Sequence, residues 1–251
     1  MSLSPRQQSI LNRVVDSHIE TAQPVGSRFI TELYTEIYHD SYSPATVRHE
    51  MGLLEDMGYL THPHPSAGRV PTDQGYRYYV EHGLRPEIFA EDFTRELTRE
   101  LLPAREEAEP FADQASRLLS RWTGEAGLVF LPERQPGFFL QGTSRILEKP
   151  EFRDVEKLRM ILQIFEEKSA LADWLGKRIR REGVVVTIGR ENEPEAFRDC
   201  AVLSVCYSGR GKTRGMLAVI GPRRMRYSRA VPFLSQMGRI LEGLLGSLDP
   251  E

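Results

Sequence analysis

The chain has 251 residues, of which 40% are hydrophobic and 27% charged, with a formal net charge of −3 and two cysteines. These values are typical of a soluble globular protein with one or two domains, and two cysteines cannot make a disulfide framework. No apolar run is long enough to span a bilayer, and the N-terminal residues lack the apolar core of a secretory signal. We therefore expect a cytoplasmic protein.

The distribution of charge does not favour general nucleic-acid binding. Residues 1–82 contain six arginines, no lysine and ten acidic residues, which leaves this segment with a formal charge of −4. A basic segment would have indicated nucleic-acid binding directly. If residues 1–82 contact DNA, a few arginines must do so locally while the acidic side chains face away.

Three helix signals occupy the first 58 residues. Ser4-Pro5 is an N-cap followed by proline at the first helical position. A second helix is predicted over about Ser27–Tyr38, with four apolar residues facing inward: Phe29, Ile30, Leu33 and Ile37. The third helix begins at Ser43-Pro44 and ends near Gly58, where a left-handed residue is expected. Its predicted buried stripe consists of Val47, Met51 and Leu54.

A short hairpin is predicted directly after the third helix. Tyr59–Thr61 has the character of a strand that pairs with Arg69-Val70 across the loop His62–Gly68, and Thr72 caps a further short helix. Three helices followed by a hairpin make a winged helix-turn-helix. We predict this arrangement for residues 1–83.

The remainder of the chain predicts a helical connector and a mixed α/β domain. Residues 84–109 are rich in glutamate and arginine around apolar residues four apart, which indicates a connector. Residues 110–251 combine helix and strand patterns. Helices are expected at about 110–122, 154–181 and 229–246, and strands at 127–131, 183–189, 201–207 and 215–221. The short links between the late strands favour an antiparallel or mixed sheet with helices on one face.

The N-terminal end of the third helix is the strongest candidate for chemistry, because the first residues of a recognition helix reach base edges. Arg48 could bind guanine through two hydrogen bonds, and Ala45 or the methyl group of Thr46 could contact a thymine methyl. Further candidates on this face are Ser43 and His49.

Two other segments are candidates for contacts with the DNA backbone. Ser27 and Arg28 open the second helix, where free backbone N–H groups favour phosphate. Ser66, Gly68 and Arg69 lie in the predicted wing, where they could approach the backbone or the minor groove. The same pattern also fits a winged helix that makes only protein contacts, with Arg48 and Arg69 as solvated cations.

The other charged and reactive groups give weaker signals. The cluster formed by Arg223, Arg224, Arg226 and Arg229 fits either a solvated face or an anion-binding or DNA-backbone surface. Cys200 and Cys206 have the pattern of small buried hydrophobic residues. No nucleophile–base pair, paired carboxylates or metal-ligand set is present in the pattern, so we expect no enzyme, cofactor or metal site.

Several motifs, in order along the chain, resemble the HrcA family of heat-shock repressors. In the first part they are Pro24–Ser27, Ser43–Met51, Leu54-Glu55, Gly58–Leu60 and Pro63–Thr72. In the second part they are Leu147–Phe152, Val186–Glu191, Cys200, Gly221–Met225 and Tyr227. The second set is similar to the GAF-like C-terminal domain of that family.

The resemblance implies a fold class and a set of partners. The fold would be α+β, with a winged helix at 1–83, a connector at 84–109 and a GAF-like regulatory and dimerisation domain at 110–251. The protein would repress heat-shock or chaperone genes as a homodimer on an inverted-repeat operator in double-stranded DNA. A chaperonin of the GroEL type would support the active repressor.

The sequence also departs from the family pattern. A dimerisation segment usually inserted in the GAF-like domain is missing where Phe130–Phe138 leads directly into the next segment. His49 replaces a polar amide, and Arg223 and Arg226 are additional. Two alternatives therefore stay open: a ligand-sensing regulator with a GAF-like effector domain, and a chaperone-interacting scaffold that no longer binds DNA.

Overall fold

The computed structural model describes residues 3–38, 42–64, 67–132, 137–177, 183–209 and 212–246. The chain divides into two compact units, Met1–Arg85 and Pro86–Glu251. The prediction of a mixed α/β chain is confirmed, since both units combine helices with antiparallel strands. None of the described helices is long and apolar enough to cross a membrane.

Over its described residues, the first unit contains four helices, a two-stranded hairpin and a π-helical turn. The hairpin strands are antiparallel, with Leu60 opposite Pro71 and Thr61 opposite Val70. In chain order the elements are α1 (Pro5–Thr21), α2 (Ser27–Tyr38), α3 (Pro44–Asp56), β1 (Leu60–Thr61), β2 (Val70–Pro71), α4 (Asp73–Tyr78) and the π-helical turn Tyr79–Gly83.

Local sequence signals define the ends of these helices. The Ser4 hydroxyl accepts a hydrogen bond from Gln7 N, and the Gln7 side chain accepts one from Ser4 N, so α1 begins with a capping box. At the end of α3, Tyr59 N donates to Leu54 O over 2.9 Å and Gly58 N donates to Glu55 O over 2.8 Å, while Gly58 has a left-handed φ of 81°. These bonds form a Schellman motif, which confirms the predicted role of Gly58.

The hairpin is also paired to the segment that precedes α2. Val25 N donates to Arg69 O and Arg69 N donates to Val25 O, each over 2.9 Å. A Cβ atom at Gly68 would lie only 2.5–2.8 Å from the backbone atoms of Val25. This close approach requires glycine at position 68.

The second unit is built on one five-stranded antiparallel sheet in the order β4-β3-β7-β6-β5. Its strands are β3 (Ala126–Phe130), β4 (Phe138–Gln141), β5 (Val185–Ile188), β6 (Cys200–Gly209) and β7 (Lys212–Pro222). Its helices are α5 (Glu91–Leu101), α6 (Ala108–Thr123), α7 (Ser144–Leu147), α8 (Val155–Glu166), α9 (Lys168–Gly176) and α10 (Tyr227–Gly246).

The sheet of the second unit is covered on both faces. Helices α6 and α10 pack against β3, β4 and β6 on one side. A core on the other side combines Leu128 and Val202 of the sheet with side chains from α8, α9 and the loops, including Phe152, Phe165, Trp174 and Phe197. The prediction of helices on one face is therefore wrong, because the apolar residues of α8 and α9 also face the sheet.

The chain divides between Arg85 and Pro86, two residues after the predicted end of the first domain. The segment 84–109, for which the sequence suggested a helical connector, includes helix α5. Helix α5 packs on α6 and α10 within the second unit. Its Phe93 contacts the rings of Trp122 and Phe233, with ring centroids 4.6 and 6.1 Å away.

The arginine cluster at 223–229 is tied mainly to the protein itself. Arg223 lies 3.3 Å from an Asp199 carboxylate oxygen, Arg224 pairs with Glu151, and the Arg229 guanidinium lies 5.6 Å from the centre of the Trp122 ring. Only Arg226 of the four is classed as exposed. Three of the four arginines are thus engaged by other side chains of the protein, which argues against both predicted roles of the cluster, a solvated face and an anion-binding surface.

A buried carboxylate lies just before β3. The Glu125 side chain is 6% exposed, and Lys149 Nζ donates to its Oε1 over 2.8 Å. Gly221 packs closely against it, since a Cβ there would lie 2.5 Å from Glu125 Oε2. Burial raises the pKa of Glu125 to about 7, although the charges of Lys149 and Arg224 act to lower it.

We predict that Glu125→Gln removes a pH dependence of stability. Because the pKa of Glu125 is higher in the folded chain than in the unfolded chain, the protonated carboxyl favours folding. This contribution to stability is fully present below the ordinary carboxyl pKa and is lost as the pH rises through 7. The free energy of unfolding of the variant minus that of wild type should therefore increase by about 2 kcal/mol when the pH is raised from 5 to 8. Urea unfolding at both pH values measures this gain. The exposed Glu148→Gln should show none, and equal gains in the two variants would contradict the prediction.

We predict that Gly68→Ala destabilises the first unit, because its methyl group would collide with the Val25 backbone. The expected loss is about 1–3 kcal/mol in free energy of unfolding, with faster hydrogen exchange at Arg69 N. Gly52→Ala is the matched control. Its Cβ would meet only the Arg69 guanidinium, at 3.8 Å, so it should stabilise α3. Unchanged stability and exchange in Gly68→Ala would show that the close approach is unimportant.

Candidate nucleic-acid interface

The N-terminal end of α3 is closed by its own cap. The Ser43 hydroxyl accepts a hydrogen bond from Thr46 N over 3.1 Å, and the Ser43 and Thr46 hydroxyl oxygens lie 2.9 Å apart. Two of the predicted base-contacting groups are thus bonded to each other. Their arrangement holds the first turn of α3 in a defined geometry.

The predicted outward face of α3 is present. Ala45, Arg48 and His49 are exposed, whereas Val47 between them is fully buried. The spacing of three and four residues places these three side chains on one side of the helix. This face is small and carries one permanent positive charge.

The start of α2 presents a second exposed group. Ser27 is half-buried and Arg28 is exposed. Phe29 was predicted to face inward, but 45% of it is exposed. Ile30, also predicted to face inward, is fully buried, so the prediction is confirmed for Ile30 and wrong for Phe29, whose direction differs by about 100° around the helix.

The arginines of the first unit divide into paired and unpaired groups. Arg6 lies 3.4 Å from a Glu50 oxygen, Arg69 lies 3.0 Å from a Glu55 oxygen, and Arg77 lies 3.9 Å from a Glu81 oxygen. Among the residues that the structure describes, Arg28 and Arg48 have no carboxylate partner. Arg28 and Arg48 are the arginines that the sequence assigned to a phosphate contact and a base contact.

Arg69 has a structural position that the sequence did not predict. Its side chain is 13% exposed, and its Nε donates to Glu55 Oε2 over 3.0 Å. The other oxygen of that carboxylate, Oε1, lies 2.5 Å from His62 Nδ1. We call Glu55, His62 and Arg69 the wing clamp. An arginine held in this way is poorly placed to bind a phosphate.

The wing clamp also affects the pKa of the Glu55 carboxyl group. Partial burial acts to raise the pKa of Glu55, but the hydrogen bonds and positive charges of His62 and Arg69 outweigh it and hold the pKa below its ordinary value. Glu55 is therefore ionised at neutral pH. Glu55 lies in α3 whereas His62 and Arg69 lie in the hairpin, so no single helical or strand pattern relates them and no sequence signal indicated the clamp.

The remaining predicted site residues and clusters can be placed briefly. Gly68 is half-buried against Val25, and Ser66 lies outside the described residues. Within the described part of the chain, no group of three or more His, Cys, Asp and Glu side chains is arranged to hold a metal ion. Cys200 is buried, which raises the pKa of its thiol.

One solved structure has a similar fold. One described as a hypothetical protein at 2.2 Å resolution matches 98% of this chain and 99% of its own length, with a TM-score of 0.74 and 19% sequence identity. At this identity the match concerns the fold alone.

Comparison with known sequences points to one family. A family profile described as "HrcA protein C terminal domain" matches residues 90–231. A heat-inducible transcription repressor HrcA from Shouchella clausii is 30% identical over 338 residues, covering 95% of this chain and 97% of the relative. One from Brevibacillus brevis is 27% identical over 342 residues, covering 98% of each. These alignments exceed the 251 residues of this chain, so both relatives carry sequence without a counterpart here. The profile and the Shouchella relative show that the chain belongs to the HrcA family.

Proposed function

We propose that this protein is a heat-inducible transcription repressor whose first unit is a winged helix-turn-helix that binds double-stranded DNA. It would act as a homodimer on an inverted repeat, with α3 in the major groove and the hairpin as the wing. The family membership and the printed names of the relatives support the repressor role. The three helices and hairpin of the first unit support the mode of binding.

The observation that carries the proposal is the distribution of arginine pairing in an acidic unit. Carboxylates engage Arg6, Arg69 and Arg77, while exposed Arg28 and Arg48 keep their charge available among the described residues. The intramolecular pairs also neutralise Glu50 and Glu55 on α3 itself. A unit with a net negative charge can then still offer two local cations to DNA.

We assign the predicted contacts to separate roles. Arg48 reads guanine, Ala45 and His49 flank it, and Ser43 with Thr46 holds the helix start at the groove. Ser27 and Arg28 bind phosphate at the start of α2. Gly68 and the loop containing Ser66 form the wing, whereas Arg69 is assigned to positioning.

We infer that the second unit is a GAF-like regulatory and dimerisation domain and that a chaperonin of the GroEL type is a partner. The antiparallel sheet covered on both faces supports the domain type. The ligand-sensing alternative gains little support, because aromatic side chains fill the core on one face of the sheet. The relatives carry sequence that this chain lacks. We therefore propose that the second unit dimerises through a contact that differs from that of the relatives.

Selection of bound duplexes from a random DNA library would test the proposal. A repressor of this kind should enrich an inverted repeat, shift it in a gel, and release it reversibly when the sample is heated. Equal affinity for the enriched and scrambled duplexes would contradict the proposal and favour a scaffold that does not bind DNA. A metabolite that stabilises the protein and changes this affinity would favour the ligand-sensing alternative.

We predict that Arg48→Ala weakens binding to the enriched duplex by about 1–3 kcal/mol, because a two-bond contact to one base is lost. The preference for guanine at one position of each half-site should disappear as well. Fluorescence anisotropy with single-base variants of the duplex measures both effects. Arg77→Ala, whose side chain pairs with Glu81, is the control and should bind like wild type.

We predict that Arg28→Ala weakens binding to all sequences nearly equally, because a phosphate contact carries no base information. The salt dependence of the affinity should also decrease by about one counterion for each protomer. Titrations at several salt concentrations measure this slope. A loss confined to the enriched sequence would show that Arg28 contacts a base instead.

A further inference from the structure

We propose that Glu55 is a positioning residue that locks the wing onto α3 through His62 and Arg69, so that the two DNA-contacting segments move as one body. This inference rests on the proposed function, since it concerns how the DNA-contacting surface is held together. Glu55 itself would touch no DNA. It acts through the placement of the hairpin.

The carboxylate of Glu55 is shared between the two sides of the hairpin. Glu55 lies in the last turn of α3, His62 follows β1, and Arg69 precedes β2. Each carboxylate oxygen bonds to one side: Oε1 to His62 at 2.5 Å and Oε2 to Arg69 at 3.0 Å. A rotation of the hairpin relative to α3 would therefore break at least one charge-assisted hydrogen bond.

Arg69 also connects the wing to the start of α2. Its backbone exchanges two hydrogen bonds of 2.9 Å with Val25, three residues before Arg28. Its guanidinium lies beside Gly52 of α3, 3.8 Å from where a Cβ would be. One residue thus joins α3, the wing and the segment that leads to the proposed phosphate contact.

The hairpin needs such support, because each of its strands has only two residues. A hairpin of this length is not stable by itself in water. The clamp side chains are 13–31% exposed, so solvent screens their charges less than those of fully exposed pairs. Ionised Glu55, whose pKa is held low, keeps the clamp closed at neutral pH.

The matched test compares Glu55→Gln with Glu50→Gln. Both residues lie in α3, both substitutions remove one negative charge, and Glu50 pairs with Arg6 of α1 instead of with the wing. Removal of a negative charge near DNA should by itself leave affinity unchanged or raise it. We expect Glu50→Gln to bind the library-selected duplex at least as well as wild type. Glu55→Gln should bind roughly tenfold more weakly, as expected for one lost charge-assisted contact.

Hydrogen exchange in the free protein tests the clamp without DNA. The Arg69 amide, which donates to Val25 O, should exchange several-fold faster in Glu55→Gln and at the wild-type rate in Glu50→Gln. The Glu55→Gln/Arg69→Gln double variant should bind no more weakly than the weaker of the two single variants, because both disrupt the same unit. If Glu55→Gln does not fold, His62→Gln replaces it in the test. This variant removes only the bond between His62 and Glu55, and it should weaken binding and speed exchange at Arg69 in the same way.

Two results would overturn the inference. One is wild-type exchange at Arg69 in Glu55→Gln; the other is equal affinity of Glu55→Gln and Glu50→Gln for the selected duplex. Failure of the wild-type protein to select any duplex would instead contradict the proposed function. Faster exchange in Glu55→Gln would in that case still establish the clamp as a link between the wing and α3.

Discussion

The neutralisation of acidic side chains within the first unit is the constraint on which its surface depends. Ten acidic residues and six arginines share residues 1–82, so an even distribution of charge would repel a polyanion. The fold instead pairs Glu50 with Arg6, directs His62 and Arg69 to Glu55, and lets the Tyr79 hydroxyl donate to Asp16 over 2.6 Å. The exposed cations at the starts of α2 and α3 remain. Net charge is thus a weak guide to what a small domain binds when its charges are spatially sorted.

The second unit depends on a different constraint, the burial of a sheet on both faces. Val202 and Leu203 are adjacent in β6, point to opposite faces, and are both fully buried. Such a strand must be covered twice, by α6 and α10 on one side and by α8, α9 and the loops on the other. Three ion pairs hold loops next to this sheet: Glu125 with Lys149, Arg223 with Asp199, and Arg224 with Glu151.

Sequence reasoning located most elements because their signals are local. The Ser4 and Ser43 caps, the left-handed Gly58 and the strand-like runs of β6 and β7 all appear where the pattern predicted them. It missed β4, whose run Phe138–Gln141 is too short to show a period, and it merged α8 with α9 across Glu167. It also located the exposed residues of α3, since a helical stripe of buried residues determines which side chains face out.

The sequence by itself therefore determined the helix starts, the turn after α3, the candidate face of Arg48 and the family, because each depends on residues a few positions apart or on motifs in order. Tertiary structure decided which of the arginines stay available. Arg6 and Glu50 are 44 residues apart in α1 and α3, and Arg69 and Glu55 are 14 apart in the hairpin and α3, so no pattern within one element relates either pair. It also decided that Phe29 is partly exposed and that the Arg69 side chain pairs with Glu55 in the wing clamp. The physical reason is that ion pairing and burial depend on distance in space, which the chain establishes only when its segments pack together.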